Sequence, residues 1–131
     1  MKLNTKWDKG QQFTTQVEGG NEITLDGRSK STVSPPQALL AALCSCIGID
    51  IVMILEKMRA SVEGLEVDAS VARAEDPPRY VQGVHLRFKV QGQIQDKQLE
   101  RAIQLSLDKY CSVYHSLRRD LDLTWEVIQS S

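Results

Sequence analysis

The spacing of apolar positions changes along this chain, and each change marks an element. Residues 2–8 (KLNTKWD), 11–18 (QQFTTQVE) and 21–26 (NEITLD) are short, rich in Thr, Val, Phe, Ile and Trp, and punctuated by Lys9-Gly10 and Gly19-Gly20. They predict three strands of an antiparallel meander with tight turns. Residues 27–33 (GRSKSTV) predict a polar loop that carries two cations, Arg28 and Lys30, up to a helix start. From Ser34 to Arg59 the chain reads SPPQALLAALCSCIGIDIVMILEKMR: Ser34 can accept the first free backbone N–H groups, and Pro35 and Pro36 suit a first turn. Between Ala38 and Leu55 only Ser45 and Asp50 are neither apolar nor Gly, so this helix needs cover on nearly every side.

Beyond the helix the period falls to two. Leu65, Val67, Ala69 and Val71 alternate with Glu66, Asp68 and Ser70, Asp76-Pro77-Pro78 interrupts, and Val84, Leu86, Phe88 and Val90 then alternate with His85, Arg87 and Lys89. Paired antiparallel, these strands would set an acidic outer face against a basic one. Asp96 is placed to cap a second helix through KQLERAIQLSLDKYC, whose apolar positions recur at helical spacing. Residues 112–119 (SVYHSLRR) extend it or form a short extra helix. A last strand, 120–130, alternates through Leu121, Leu123, Trp125 and Val127. The expected fold is α+β in the order βββ-α-ββ-α-β, with a long buried central helix packed on an antiparallel sheet.

Size and charge narrow the function classes. A chain of 131 residues that is 41% apolar suits one domain over residues 1–131. Sixteen basic against seventeen acidic residues give a net charge of −1, which offers no general attraction to nucleic acid or to anionic lipid. No apolar stretch follows Lys2 in MKLNTKWDKG, so no signal peptide and a cytoplasmic location are expected. The long helix is near the roughly 18-residue length of a membrane span. Asp50 inside it, its small residues and its strand-like flanks favour a buried helix and no membrane.

The chemistry rests on three cysteines, an odd number that does not read as a disulfide framework in a reducing compartment. At about 100° per residue Cys44 and Cys46 point roughly 200° apart, so they have different roles. Cys44 reads as a packing residue. Cys46 has Asp50 one turn later on its own face. Cys111 closes the second helix, flanked by Tyr110, with His115 four residues on. A Cys-His pair is one option there. A zinc site from Cys44, Cys46, Cys111 and His115 is not expected, because a CxC on a regular helix cannot converge on one ion. No metal or cofactor is called for.

PPQALLAALCSCIGIDIVMILEK resembles the central helix of the OsmC/Ohr family, in which a Pro opens the helix and a peroxide-reactive cysteine follows eleven residues later; counted from Pro35, that cysteine is Cys46. KYCSVYHSL resembles the segment with the family's second cysteine, here Cys111. The resemblance implies an intertwined homodimer and a thiol-dependent peroxidase of the oxidative stress response. Cys46 would attack a hydroperoxide, preferably an organic one in a pocket lined by Leu39, Leu43, Ile47 and Val52, and become a sulfenic acid. Cys111 would resolve it as a disulfide, and an external thiol would reduce that bond. The family's activating arginine would be Arg28, with Lys30 as substitute. The chain departs from the family at Gln37, where a glutamate is usual, and at Ser112, where a proline is usual. A non-catalytic protein of the same fold, binding a small ligand or serving as a structural dimer, is the alternative.

Overall fold

The structure is a computed structural model describing residues 1–130. Its elements are β1 (Leu3–Lys9), β2 (Gln12–Val17), β3 (Glu22–Asp26), α1 (Pro35–Lys57), β4 (Ser61–Arg73), β5 (Val81–Gln93), α2 (Asp96–Leu105), a π-helical turn (Ser106–Tyr110), α3 (Ser112–His115) and β6 (Asp122–Ser130). The chain forms two compact units, Met1–Ala41 and the residues from Ala42 onward.

In the first unit β1, β2 and β3 form the expected antiparallel meander, with Trp7 opposite Phe13 and Phe13 opposite Leu25. Trp7 donates its indole N–H to the Gly10 carbonyl across the first turn, 2.9 Å. The loop after β3 winds around one carboxylate. Asp26 accepts the backbone N–H groups of Arg28, Lys30 and Ser31 at 3.1–3.2 Å, together with the Ser31 hydroxyl. These bonds favour the anion and hold Asp26 down at about 2. At the start of α1, Ser34 and Gln37 cap each other: the Gln37 N–H donates to Ser34 Oγ, 3.4 Å, and the Ser34 N–H to Gln37 Oε1, 2.9 Å.

In the second unit the order is β4-β5-β6, and the register of β4 and β5 brings Glu66 opposite Lys89 and Asp68 opposite Arg87. Lys89 Nζ reaches Asp68, 3.0 Å, and Glu66, 3.8 Å. Val84, Leu86, Phe88 and Val90 point inward from the central strand and are all buried. The expected inward residues of β4 are covered only in part: Leu65 and Val67 are half-buried, whereas Ala69 and Val71 are exposed. Gly92, with φ +137°, faces a close approach of β4; a Cβ there would lie 2.0 Å from the Ser61 carbonyl oxygen.

Two expectations are corrected. The sheet is mixed, because β6 runs parallel to β5, with Leu86 beside Trp125 and Phe88 beside Val127. α2 and α3 form a crossover that returns the chain to the starting end of β5, which a hairpin could not do. Helix α2 begins one residue earlier than Asp96 would cap it: Gln95 is the cap, and its N–H donates to Gln98 Oε1, 3.2 Å.

The core of this unit is a stripe on α1, Leu43, Ile47, Ile51 and Leu55, clustered with the inner face of β5 and with Leu99, Ala102 and Ile103 of α2. Each such side chain contributes about 1.5–3 kcal/mol by leaving water. Only this stripe of α1 is fully buried. Ile49 and Met53 on its other faces are exposed, as is Leu39 near its start. By length and apolarity α1 would also suit a membrane; its buried stripe and the hydrogen bond from Ser106 to Asp50 place it on the sheet.

Candidate active site

Cys46 and Asp50 lie one turn apart on α1, half-buried, beside the core stripe. Opposite them the second helix changes its winding. Where α2 ends, five residues form a π turn, and the Cys111 N–H donates to the Ser106 carbonyl, 2.8 Å. The wider turn places both of its ends toward α1. Ser106 is fully buried and donates its hydroxyl to Asp50 Oδ2, 2.8 Å. Cys111 is fully buried and caps α3, accepting the Tyr114 N–H on its sulfur, 3.3 Å. The Cys46 and Cys111 sulfurs and an Asp50 carboxylate oxygen all lie within 4.8 Å of one another.

The two thiols are unequal. The Val113 N–H, the Cys111 thiol and the Ser112 hydroxyl, the last 3.9 Å away, stabilise a Cys46 anion; these outweigh desolvation and the nearby Asp50 charge and lower its pKa. Burial pushes the Cys111 thiol up to about 11, and its proton is directed at Cys46. The site therefore holds one sulfur inclined to be a thiolate and one inclined to keep its proton, side by side.

The sequence reading asks a cation to activate Cys46, whereas the donors seen here are neutral. Ser112 is among them, at the position where the family's usual proline has no hydroxyl to offer. Helical spacing puts Ser106 on one face with Leu99, Ala102, Ile103 and Tyr110, but no local pattern marks its partner or the π turn; both depend on where α2 meets α1. Arg28 and Gln37 belong to the first unit. Arg28 is exposed, with its backbone N–H on Asp26, and Gln37 Oε1 accepts from the Ser29 hydroxyl, 2.7 Å, and the Ser34 N–H.

The other sulfur and the histidine stand apart from this pair. Cys44 lines an open groove of about 710 Å³ between α1 and β4, together with Ile49, Val52, Met53 and Leu65. His115 Nε2 is bonded to the Leu107 carbonyl, 2.8 Å. The expected pocket lining is corrected as well: Leu43 and Ile47 are core residues with no exposed surface, and Val52 belongs to the groove beside Cys44. A separate depression of about 330 Å³ opens next to Asp50, lined by Met53, Ile54, Lys57, Met58, Leu105 and Tyr110.

An N-terminal meander followed by a long helix on a three-stranded sheet is the fold of OsmC-like proteins. Residues 27–126 match the family model described as OsmC-like protein, and the chain belongs to that family. It is 36% identical over 132 residues to Protein YhfA of Escherichia coli (strain K12), covering 98% of both chains. A hypothetical protein from Aquifex aeolicus VF5 superimposes with a TM-score of 0.87 at 27% identity, over 99% of this chain and 97% of that one. An organic hydroperoxide resistance protein OsmC from Legionella pneumophila shares the fold, with a TM-score of 0.72 at 18% identity over 97% and 96% of the two chains.

Proposed function

We propose that this protein is a thiol-dependent peroxidase that reduces organic hydroperoxides, with Cys46 as nucleophile and Cys111 as resolving thiol. The observation that carries the reading is the approach of two sulfurs, distant in sequence, to within 4.8 Å of each other. The Cys46 thiolate attacks one peroxide oxygen, the O–O bond breaks, and the leaving alkoxide takes a proton and departs as an alcohol, leaving a sulfenic acid. The Cys111 sulfur then attacks the Cys46 sulfur, water leaves and a disulfide forms. Two external thiols reduce that disulfide and leave as a disulfide of their own. A disulfide needs about 2.05 Å between sulfurs, so the two must move closer before it forms. The apolar wall of the depression beside Asp50, Met53, Ile54, Met58 and Leu105, suits an organic substituent. The name of the Legionella pneumophila relative supports the substrate class.

In this reading Gln37 holds the loop that carries Arg28 at the helix start, accepting from the Ser29 hydroxyl and the Ser34 N–H. The working form is a homodimer in the cytoplasm, where thiol reductants are available. Uncovered apolar surface supports a second copy: Leu3 is 60% exposed, Trp7 66%, Ile49 59% and Met53 52%. Adding less than one equivalent of an organic hydroperoxide to the reduced protein is expected to consume two thiols per peroxide. Peptide mapping should then find Cys46 linked to Cys111. Both thiols remaining free after that treatment would overturn the reading and leave a non-catalytic member of the fold.

A further inference from the structure

We propose that Cys46, Cys111 and Asp50 also form a binding site for one zinc ion per chain, with a fourth position open to water. The donor set does not include Cys44 or His115. Cys44 lines a different groove and His115 is engaged by the Leu107 carbonyl. Asp50 takes the place those residues would have filled.

The three donor atoms lie within 4.8 Å of one another. Around a tetrahedral zinc ion, with Zn–S about 2.3 Å and Zn–O about 2.0–2.2 Å, donors stand about 3.5–3.8 Å apart. The three donors must therefore close in by up to about 1 Å on binding. Two sulfurs and one carboxylate select a borderline-soft ion over magnesium or calcium, which prefer all-oxygen shells. Supporting contacts are in place: the buried Ser106 hydroxyl fixes the carboxylate from behind, and the Tyr114 N–H points at the Cys111 sulfur. Cys46 is half-exposed, which leaves an entry path and room for water as fourth ligand. On binding, each thiol still protonated releases its proton to solvent, and two sulfur–metal bonds form without change of oxidation state. Zinc and the Cys46–Cys111 disulfide use the same electron pairs, so each excludes the other.

The inference does not depend on peroxidase activity, and its test reads binding alone. Titration of the reduced, metal-stripped protein with cobalt(II) as probe should give sulfur-to-cobalt charge-transfer absorption in the near ultraviolet and tetrahedral bands in the visible, saturating at one ion per chain and erased by zinc. Cys46→Ser should abolish the charge-transfer band, Asp50→Asn should weaken binding by roughly tenfold or more, and Cys44→Ser should change nothing. Circular dichroism of each variant establishes that it is folded. Absence of charge-transfer absorption in the wild-type protein, or a spectrum insensitive to Cys46→Ser or Asp50→Asn in folded variants, would overturn the proposal. Cobalt binding with no hydroperoxide turnover would uphold zinc and remove the peroxidase, and the converse would do the reverse.

Discussion

On the Cys46 sulfur, three neutral donors act against one anion, and the donors prevail. The consequence is a split titration. In metal-free protein, thiolate absorbance should rise in a first wave below the ordinary thiol value of 9.0, from Cys46, and later above that value, from Cys44, raised by burial, and from Cys111 near 11. Ser112→Ala removes one donor and should move the first wave to higher pH, with slower alkylation of Cys46 at neutral pH; an unmoved wave would exclude Ser112 from activation. Stability follows with opposite signs. Cys46, depressed in the folded chain, adds stability as pH rises through its folded value and has contributed fully by about 9. Cys111 keeps its proton in the folded chain while an unfolded chain loses it near 9.0, so its contribution is complete below that pH and is lost between about 9 and 11. The melting temperature should therefore fall across that window, and less steeply in Cys111→Val. The candidate pair of cysteines came from the family resemblance, not from spacing. The donors were not legible in the sequence, because a backbone N–H and a serine hydroxyl acquire meaning only through what they face.

Among the elements, the loop before α1 shows how one side chain can order a segment. Asp26 receives three backbone N–H groups from residues 28–31, which the residue pattern alone presents as an unstructured carrier of Arg28 and Lys30. Asp26→Ala should leave those amides without acceptors, and hydrogen exchange at Arg28, Lys30 and Ser31 should speed by about tenfold or more. Unchanged exchange would mean that the loop is held by other contacts. Because the folded value of Asp26 is depressed to about 2, the same contribution should be lost as pH falls from about 4 toward 2. The π turn is the complementary case. Apolar periodicity predicts a helix through Tyr110, and a helix is what forms as far as Leu105; the wider winding that follows aims Ser106 at Asp50. Periodicity does not register one extra residue in a turn.

For the molecule as a whole, the informative surface is the apolar area that one chain leaves bare. Helix α1 is apolar nearly all round, yet within one chain only its Leu43, Ile47, Ile51 and Leu55 stripe is fully buried. In the proposed homodimer a second copy would cover remaining faces of α1. Sedimentation at micromolar concentration should give twice the chain mass, and Met53→Glu should shift it toward the single-chain mass by burying an unpaired charge. A single-chain mass for the unaltered protein would remove the homodimer from the proposed function.

Residue pattern alone determined the order of elements and the inward face of β5, because periodicity is a local property of a chain; the choice of Cys46 and Cys111 came from the family resemblance. Tertiary structure decided the rest: that β6 runs parallel to β5, that Ser106 meets Asp50, and that neutral donors act on Cys46. Those outcomes depend on which distant segments meet and in what orientation. No one-dimensional pattern carries that information, since the energy of each contact exists only after both partners have been brought together.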